Sequence, residues 1–226
     1  MRLKVTEVNV ERNAVVPARG WLARLYLWAC ERLYAKLAWG YDVVSWLVSL
    51  GNWRRWQAGV WQEVRGQKVL EIGAGTGALL VQGTRRGLSL VGVDRSPAML
   101  AVAQRRVAKE GIPARLIQGD GRALPLAAQA FDTVMATFPA GYIFDAATLA
   151  EMRRVLHDPG RLVILGLWVE LHLGQVGRWL PVFYGRPSEA SLDAMAQRVA
   201  AAGFGVRWVE QRTGLFTVGV LVADRK

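Results

Sequence analysis

The stretch LEIGAGTGALL, residues 70–80, decides how the rest of this chain is read. A short apolar run carries Glu71 and is followed at once by Gly73, Gly75 and Gly77, then by residues suited to a helix. Glycines so spaced let the backbone enter positive φ and approach a bound group with no Cβ between. The letters satisfy two patterns. Gly73, Gly75 and Ala78 fit the G-x-G-x-x-G/A turn that cradles a dinucleotide pyrophosphate at a helix N-terminus. Gly73, Gly75 and Gly77 fit the G-x-G-x-G turn that holds S-adenosylmethionine. Glu71 separates them. A carboxylate at the mouth of the loop repels a pyrophosphate, but it suits a ligand that carries a sulfonium and an ammonium and whose own carboxylate takes the loop amides.

Working outward, LVGVDRSPAML ends its strand on Asp94, where a carboxylate can accept both hydroxyls of a ribose. LIQGDGRALPL brings Asp120 to the end of a third strand, where the amino group of an adenine can be met; taken singly, it also suits an exposed turn beside Gly119 and Gly121. Short β-rich runs at 68–72, 89–93, 114–118, 133–136 and 161–167 alternate with helical stretches near 77–86, 97–110 and 146–156. That alternation predicts an α/β fold with a parallel sheet covered on both faces. The chain then changes habit. A helical stretch at 188–202 stops at Gly203, and runs at 206–211 and 215–223 face each other across Arg212–Gly214 as a hairpin. Five parallel strands closed by an antiparallel pair make a Rossmann-like, seven-stranded, mostly parallel sheet, whereas a dinucleotide fold continues with further βα units.

Four segments in order, VLEIGAGTG, GVDRSPAML, GDGRALPLAAQAFDTVMATF and LAEMRRVLHDPGRLVIL, resemble successive motifs of the class I S-adenosylmethionine-dependent methyltransferases and cover roughly residues 66–168. The resemblance implies that Glu71, Gly73, Gly75 and Gly77 form the cofactor loop, that Asp94 with Arg95 beside it meets the ribose, and that Asp120 and Gly121 meet the adenine. It places Thr137 and Phe138 beside the sulfonium. LHDPGR departs from the family's usual Lys-Pro-Gly-Gly turn at no expected functional cost, because that turn only feeds the fifth strand.

Ahead of the loop, YDVVSWLVSLGNWRRWQ, residues 41–57, is similar to the corresponding segment of the ubiquinone/menaquinone biosynthesis C-methyltransferases, through Tyr41 and Asp42, Ser49 and Gly51, and Arg54 with Trp56. That resemblance implies that Tyr41 covers the cofactor as a lid. The chain departs from the pattern at Ser45, at Trp53 where the family has His, and at FPAGYIFD (138–145) where the family has Gly-Leu-Arg-Asn. Residues 1–65 are expected to form a Trp/Arg-rich helical extension and 66–226 the cofactor-binding domain. Residues 1–16 alternate like a strand, and the apolar spacing from Gly20 to about Leu50 suits helices with breaks near Gly40 and Gly51.

Seven of the ten tryptophans lie at 21, 28, 39, 46, 53, 56 and 61, among arginines. Two readings stand: aromatic core under amphipathic helices, or an interfacial surface of indoles at headgroup level with cations toward anionic lipid. A net charge of +11 favours an anionic partner, yet the charge is diffuse and no compact basic run tracks a phosphate backbone, so nucleic acid is disfavoured. The single cysteine, Cys30, excludes an internal disulfide and a cysteine zinc cage, and no metal is expected. With no signal peptide and no apolar stretch of the roughly 18–20 residues a spanning helix needs, a cytoplasmic protein with a peripheral membrane contact is expected.

Methyl transfer needs no nucleophile on the protein, since positioning and desolvation supply most of the catalysis. A phenol or activated carbon acceptor benefits from a base. His172 follows the fifth strand and is the catalytic candidate, with a solvated loop histidine as the alternative, while His157 lies in the turn before that strand. Trp179, Phe183 and Tyr184, with Glu170, can line an apolar acceptor pocket. The expected activity is methylation of a small apolar or lipid-like acceptor, a quinone-type ring first; a phospholipid headgroup N-methyltransferase and a non-catalytic cofactor-binding module are the alternatives.

Overall fold

A computed structural model describes residues 43, 45–46, 49–113, 115–172 and 185–226. Helix α1 (Trp53–Ala58) and a 3-10 turn (Gly59–Gln62) lead into the alternating unit β1 (Lys68–Ile72), α2 (Ala78–Thr84), β2 (Ser89–Asp94), α3 (Pro97–Lys109) and β3 (Arg115–Gln118). There follow β4 (Phe131–Thr137), a 3-10 turn (Gly141–Phe144), α4 (Ala146–Val155), β5 (Leu156–Leu171), α5 (Glu189–Ala201), β6 (Phe204–Thr213) and β7 (Phe216–Arg225).

The seven strands form one sheet in the order β3-β2-β1-β4-β5-β7-β6. β1 to β5 run parallel, and β7 lies antiparallel between β5 and β6. Strand order reverses between β1 and β4, which opens a crevice at the carboxyl ends of those strands, the place where open α/β sheets take ligands.

Local chemistry explains the elements. β1, β4 and β5 are covered on both faces and read as near-continuous apolar runs, as parallel strands do. α3 starts where the Ser96 hydroxyl accepts the Met99 N–H with Pro97 in the first turn, and α5 starts where Ser188 accepts the Ser191 N–H. One face of the sheet packs Leu70, Ile72, Val134, Leu162 and Ile164 against α4 and α5; the other packs Val69, Met135, Val163 and Leu165 against α2 and the Trp56–Val60 segment. Each fully buried side chain of this kind contributes about 1.5–3 kcal/mol.

Expected strand bounds at 68–72, 89–93 and 114–118 fall within one residue of those observed. β5 departs from its expected 161–167. At its start Leu156 pairs with Phe131 across a register shift, so His157 belongs to the strand rather than to a preceding turn. At its end Val169, Glu170 and Leu171 pair with Val218, Thr217 and Phe216, which carries the strand six residues beyond Leu165, the partner of Thr137. At the opposite end, buried Arg161 donates to both carboxylate oxygens of Asp224, at 2.7 and 3.0 Å, and also meets Glu63, tying β5, β7 and the segment before β1 together.

Candidate functional site

The loop after β1 holds its shape by internal hydrogen bonds. The N–H groups of Gly73 and Ala74 both donate to the Val93 carbonyl at 2.8 and 3.0 Å, that of Gly75 to Asp94 Oδ2 at 2.8 Å, and that of Gly77 to the Ala74 carbonyl at 2.9 Å. These four amides are therefore engaged by the chain itself. The three glycines serve different ends. All have positive φ, but a Cβ on Gly77 would lie 2.9 Å from that of Ala103, so that position is glycine for helix packing. At Gly73 and Gly75 nothing comes nearer than 3.6 Å, which leaves the backbone open to close approach from the crevice.

Glu71 is 2% exposed, and its Oε2 has no hydrogen-bond partner among the described residues. Burial pushes its carboxyl well above the usual glutamate range, and the nearby Asp94 adds to the rise. A buried carboxylate with an open lone pair beside a second carboxylate is a receptor for a cation. Asp94, 5% exposed, accepts the Ser96 N–H at Oδ1 and the Gly75 N–H at Oδ2, both at 2.8 Å. Arg95 points to solvent. Half-buried Asp120 accepts the Arg122 N–H at 2.9 Å, and the Arg122 guanidinium reaches Asp145 through two bonds of 2.8 and 2.6 Å.

Sequence reasoning missed Tyr142, in the 3-10 turn after β4. A Cβ on Gly73 would lie 3.6 Å from its hydroxyl, and one on Gly121 would lie 3.2 Å from its ring edge. The ring thus spans the two glycines expected at opposite ends of the cofactor, with Arg122 over its face at 5.5 Å. Burial, then Asp94 and Asp120, push its phenol up to about 12, against the opposing pull of Arg95 and Arg122. The available signal was that Tyr142 lies in FPAGYIFD, where the chain departs from the pattern it otherwise resembles.

Thr137 ends β4 as expected, whereas the Phe138 ring turns into an aromatic wall. Its centroid lies 4.3 Å from that of Trp53 and 6.1 Å from that of Trp56, and Trp56 meets Phe216 at 4.9 Å. Two backbone irregularities permit this: Phe138 has φ +49°, and a Cβ on Gly166 (φ +86°) would fall 2.5 Å from the Phe138 ring. Non-glycine residues accept positive φ at a cost of order 1–3 kcal/mol and do so mostly at functional sites. Of the clustered tryptophans, Trp56 is buried, Trp53 and Trp61 are half-buried against the domain, and Trp46 is 59% exposed.

His172 stands just past β5, its Nε2 2.8 Å from the Thr217 hydroxyl and its N–H on the Leu215 carbonyl. Tyr41, Trp179, Phe183 and Tyr184, like the tryptophans at 21, 28 and 39, lie outside the described residues.

A methyltransferase domain family matches residues 69–160. The chain is 32% identical over 227 residues to the demethylmenaquinone methyltransferase of Thermus thermophilus, covering 85% of this chain and all of that one. It is 36% identical over 204 residues to the enzyme of the same name from Thermobifida fusca, covering 78% and 86%. Among solved structures, an S-adenosylmethionine-dependent methyltransferase from Aquifex aeolicus shares the fold with a TM-score of 0.53 at 19% identity, over 73% of this chain and 85% of that one.

Proposed function

Since the chain belongs to the class I S-adenosylmethionine-dependent methyltransferases and takes its methyl group from S-adenosylmethionine, we propose that it methylates a quinol-type ring bearing an apolar tail. The observation that carries the reading is the half-buried ring pair of Trp53 and Phe138 at the end of β4, backed by the buried rings of Trp56 and Phe216, an aromatic face suited to a flat ring. The printed activity of the relatives, demethylmenaquinone methylation, agrees with it.

When bound, the cofactor supplies an electrophilic methyl group on a sulfonium. Buried Glu71 receives the positive charge, Asp94 takes the ribose hydroxyls on its remaining lone pairs, and Asp120 with Gly121 meets the adenine. Gly73 and Gly75 allow close approach, and the Tyr142 ring packs along the ligand. Thr137 borders the transfer. Trp53 and Phe138 orient the acceptor and keep water from its ring. Of the two histidines, His157 lies at the amino end of β5, and exposed His172 lies past its carboxyl end, beyond the Thr137–Leu165 pair that borders the transfer, so neither is given the acceptor's proton and His172 is read as a solvent-facing contact of Thr217.

The test is methyl transfer from S-adenosylmethionine to a tail-free demethylated naphthoquinol, read by mass spectrometry. A product heavier by one methylene is expected. Turnover of a phospholipid amine with none of the quinol would overturn the reading.

A further inference from the structure

The four large apolar side chains that stand exposed among the described residues are Val43, Trp46, Leu50 and Leu215, each more than half exposed. Trp46, Leu50 and Leu215 lie toward the same aromatic cluster. Trp46 and Leu50 sit on the turn closed by the Gly51 N–H on the Trp46 carbonyl, immediately before α1, whose Trp53 stacks on Phe138 at the carboxyl end of β4. Leu215 lies in the β6–β7 turn next to Phe216, whose ring meets Trp56. The exposed apolar groups thus rim the aromatic wall.

A cavity of about 270 Å³ lies between the α1–3-10 segment and β6, lined by Arg55 and Gly59 on one side and by Gln211, Arg212 and Thr213 on the other. Its floor is built rather than incidental: Gln211, 8% exposed, donates from Nε2 to the Gly59 carbonyl at 2.7 Å. Glu210, the one acid on its edge, is paired with Arg186, which leaves Arg55 and Arg212 to set the sign of the cavity. Exposed Arg54 stands beside them. Apolar tips ringed by arginines, on a chain of net charge +11, match the two-part chemistry of an anionic bilayer: acyl boundary for the tips, phosphate for the cations.

We propose that this corner docks on an anionic lipid surface, with Trp46, Leu50 and Leu215 entering the headgroup boundary and a lipid phosphate seated between Arg55 and Arg212. The inference deepens the reading above, because an acceptor with an apolar tail resides in the bilayer and this orientation turns the aromatic wall toward it.

Sedimentation of the full chain with phosphatidylcholine vesicles, with and without phosphatidylglycerol, tests it. Binding is expected only with phosphatidylglycerol, falling as salt rises. It should weaken about fivefold for each of Arg55→Gln and Arg212→Gln, and also in Trp46→Ser and Leu215→Ser, while each variant keeps its cofactor-induced thermal shift and its rate on the tail-free quinol. Equal binding to neutral vesicles, unchanged binding in the arginine variants, or binding of inorganic phosphate or DNA without vesicle affinity would overturn it. A chain that methylates no quinol but sediments with anionic vesicles overturns the acceptor reading alone; one that methylates the tail-free quinol and ignores both vesicles overturns this one alone.

Discussion

Glu71→Gln should move stability and cofactor binding in opposite directions. In the folded chain Glu71 is buried beside Asp94 with one oxygen unpartnered, and its carboxyl is held well above the usual range. A raised value means that the native state binds the proton more tightly than the unfolded chain. The stability this contributes is complete below the ordinary glutamate value and is lost as pH rises through the elevated one. An amide of the same shape carries no such penalty. Each pH unit between the ordinary glutamate value and neutrality costs about 1.4 kcal/mol in a carboxyl kept neutral by the fold, so near neutral pH the variant without cofactor should be more stable than the parent by about 1–3 kcal/mol. At about 2–4 °C per kcal/mol for a chain of this size, melting should rise by roughly 2–12 °C. Cofactor at a hundredfold its dissociation constant adds about 2.7 kcal/mol to the parent, and the variant, lacking the charge that receives a cation, should lose most of that. Thermal melts followed by circular dichroism, with and without S-adenosylmethionine, should therefore rank the two proteins in opposite order. The gap between the cofactor-free proteins should close in acid, where the parent carboxyl is neutral. Calorimetry in buffers of different ionisation enthalpy should show protons released as the parent binds. A variant less stable without cofactor, or one with an undiminished cofactor shift, would refute the reasoning.

Tyr142→Ala should weaken cofactor affinity about tenfold by removing the ring that spans Gly73 and Gly121; calorimetry giving parental affinity would remove Tyr142 from the site. Arg161→Ala should cost about 1–3 kcal/mol in denaturant melts, since it removes the buried guanidinium that ties β5 to Asp224 and Glu63, which keep only their more exposed partners Arg65 and Arg207. Asp224 is held low chiefly by its bond to Arg161, so the parent's advantage should be present above the ordinary aspartate value and fade as pH falls below it. His172→Gln should leave kcat and KM for the quinol near those of the parent, as its place past Leu171 requires, read by steady-state kinetics; a fall in kcat with KM unchanged would bring His172 to the transfer.

What could be read from the chain was local in sequence. Glu71, the three glycines and Asp94 sit at strand ends whose positions follow from apolar runs and turn residues, and the closing hairpin follows from two β-rich runs either side of Gly214. What could not be read was contact across the β1–β4 reversal. Nothing local says that Tyr142 will reach Gly73, because their meeting depends on strand order. Nothing local says that the Phe138 ring will pack on Trp53, because that contact depends on Gly166 in the neighbouring strand and on a residue 85 positions earlier. Nor does anything local supply the partners of the Gly73, Ala74 and Gly75 amides, the Val93 carbonyl and Asp94, which belong to the next strand and come into place only through register.

The two hydrogen bonds that Asp94 accepts from the backbone divide the molecule into a part that resists change and a part that tolerates it. A donor site braced by main-chain contacts between adjacent strands cannot drift residue by residue: an asparagine at 94 would set an amide N–H against a backbone N–H. The acceptor side is held by rings resting on one another, Trp53 on Phe138 and Trp56 on Phe216, and stacked rings can be exchanged for other apolar shapes at modest cost. Tyr142 of the 138–145 stretch lies against Gly73 and belongs to the donor site, whereas Trp53 and Phe138, two places where this chain leaves the pattern it resembles, fall on that tolerant side. Selection for a new acceptor can therefore work there without loosening the grip on the methyl donor.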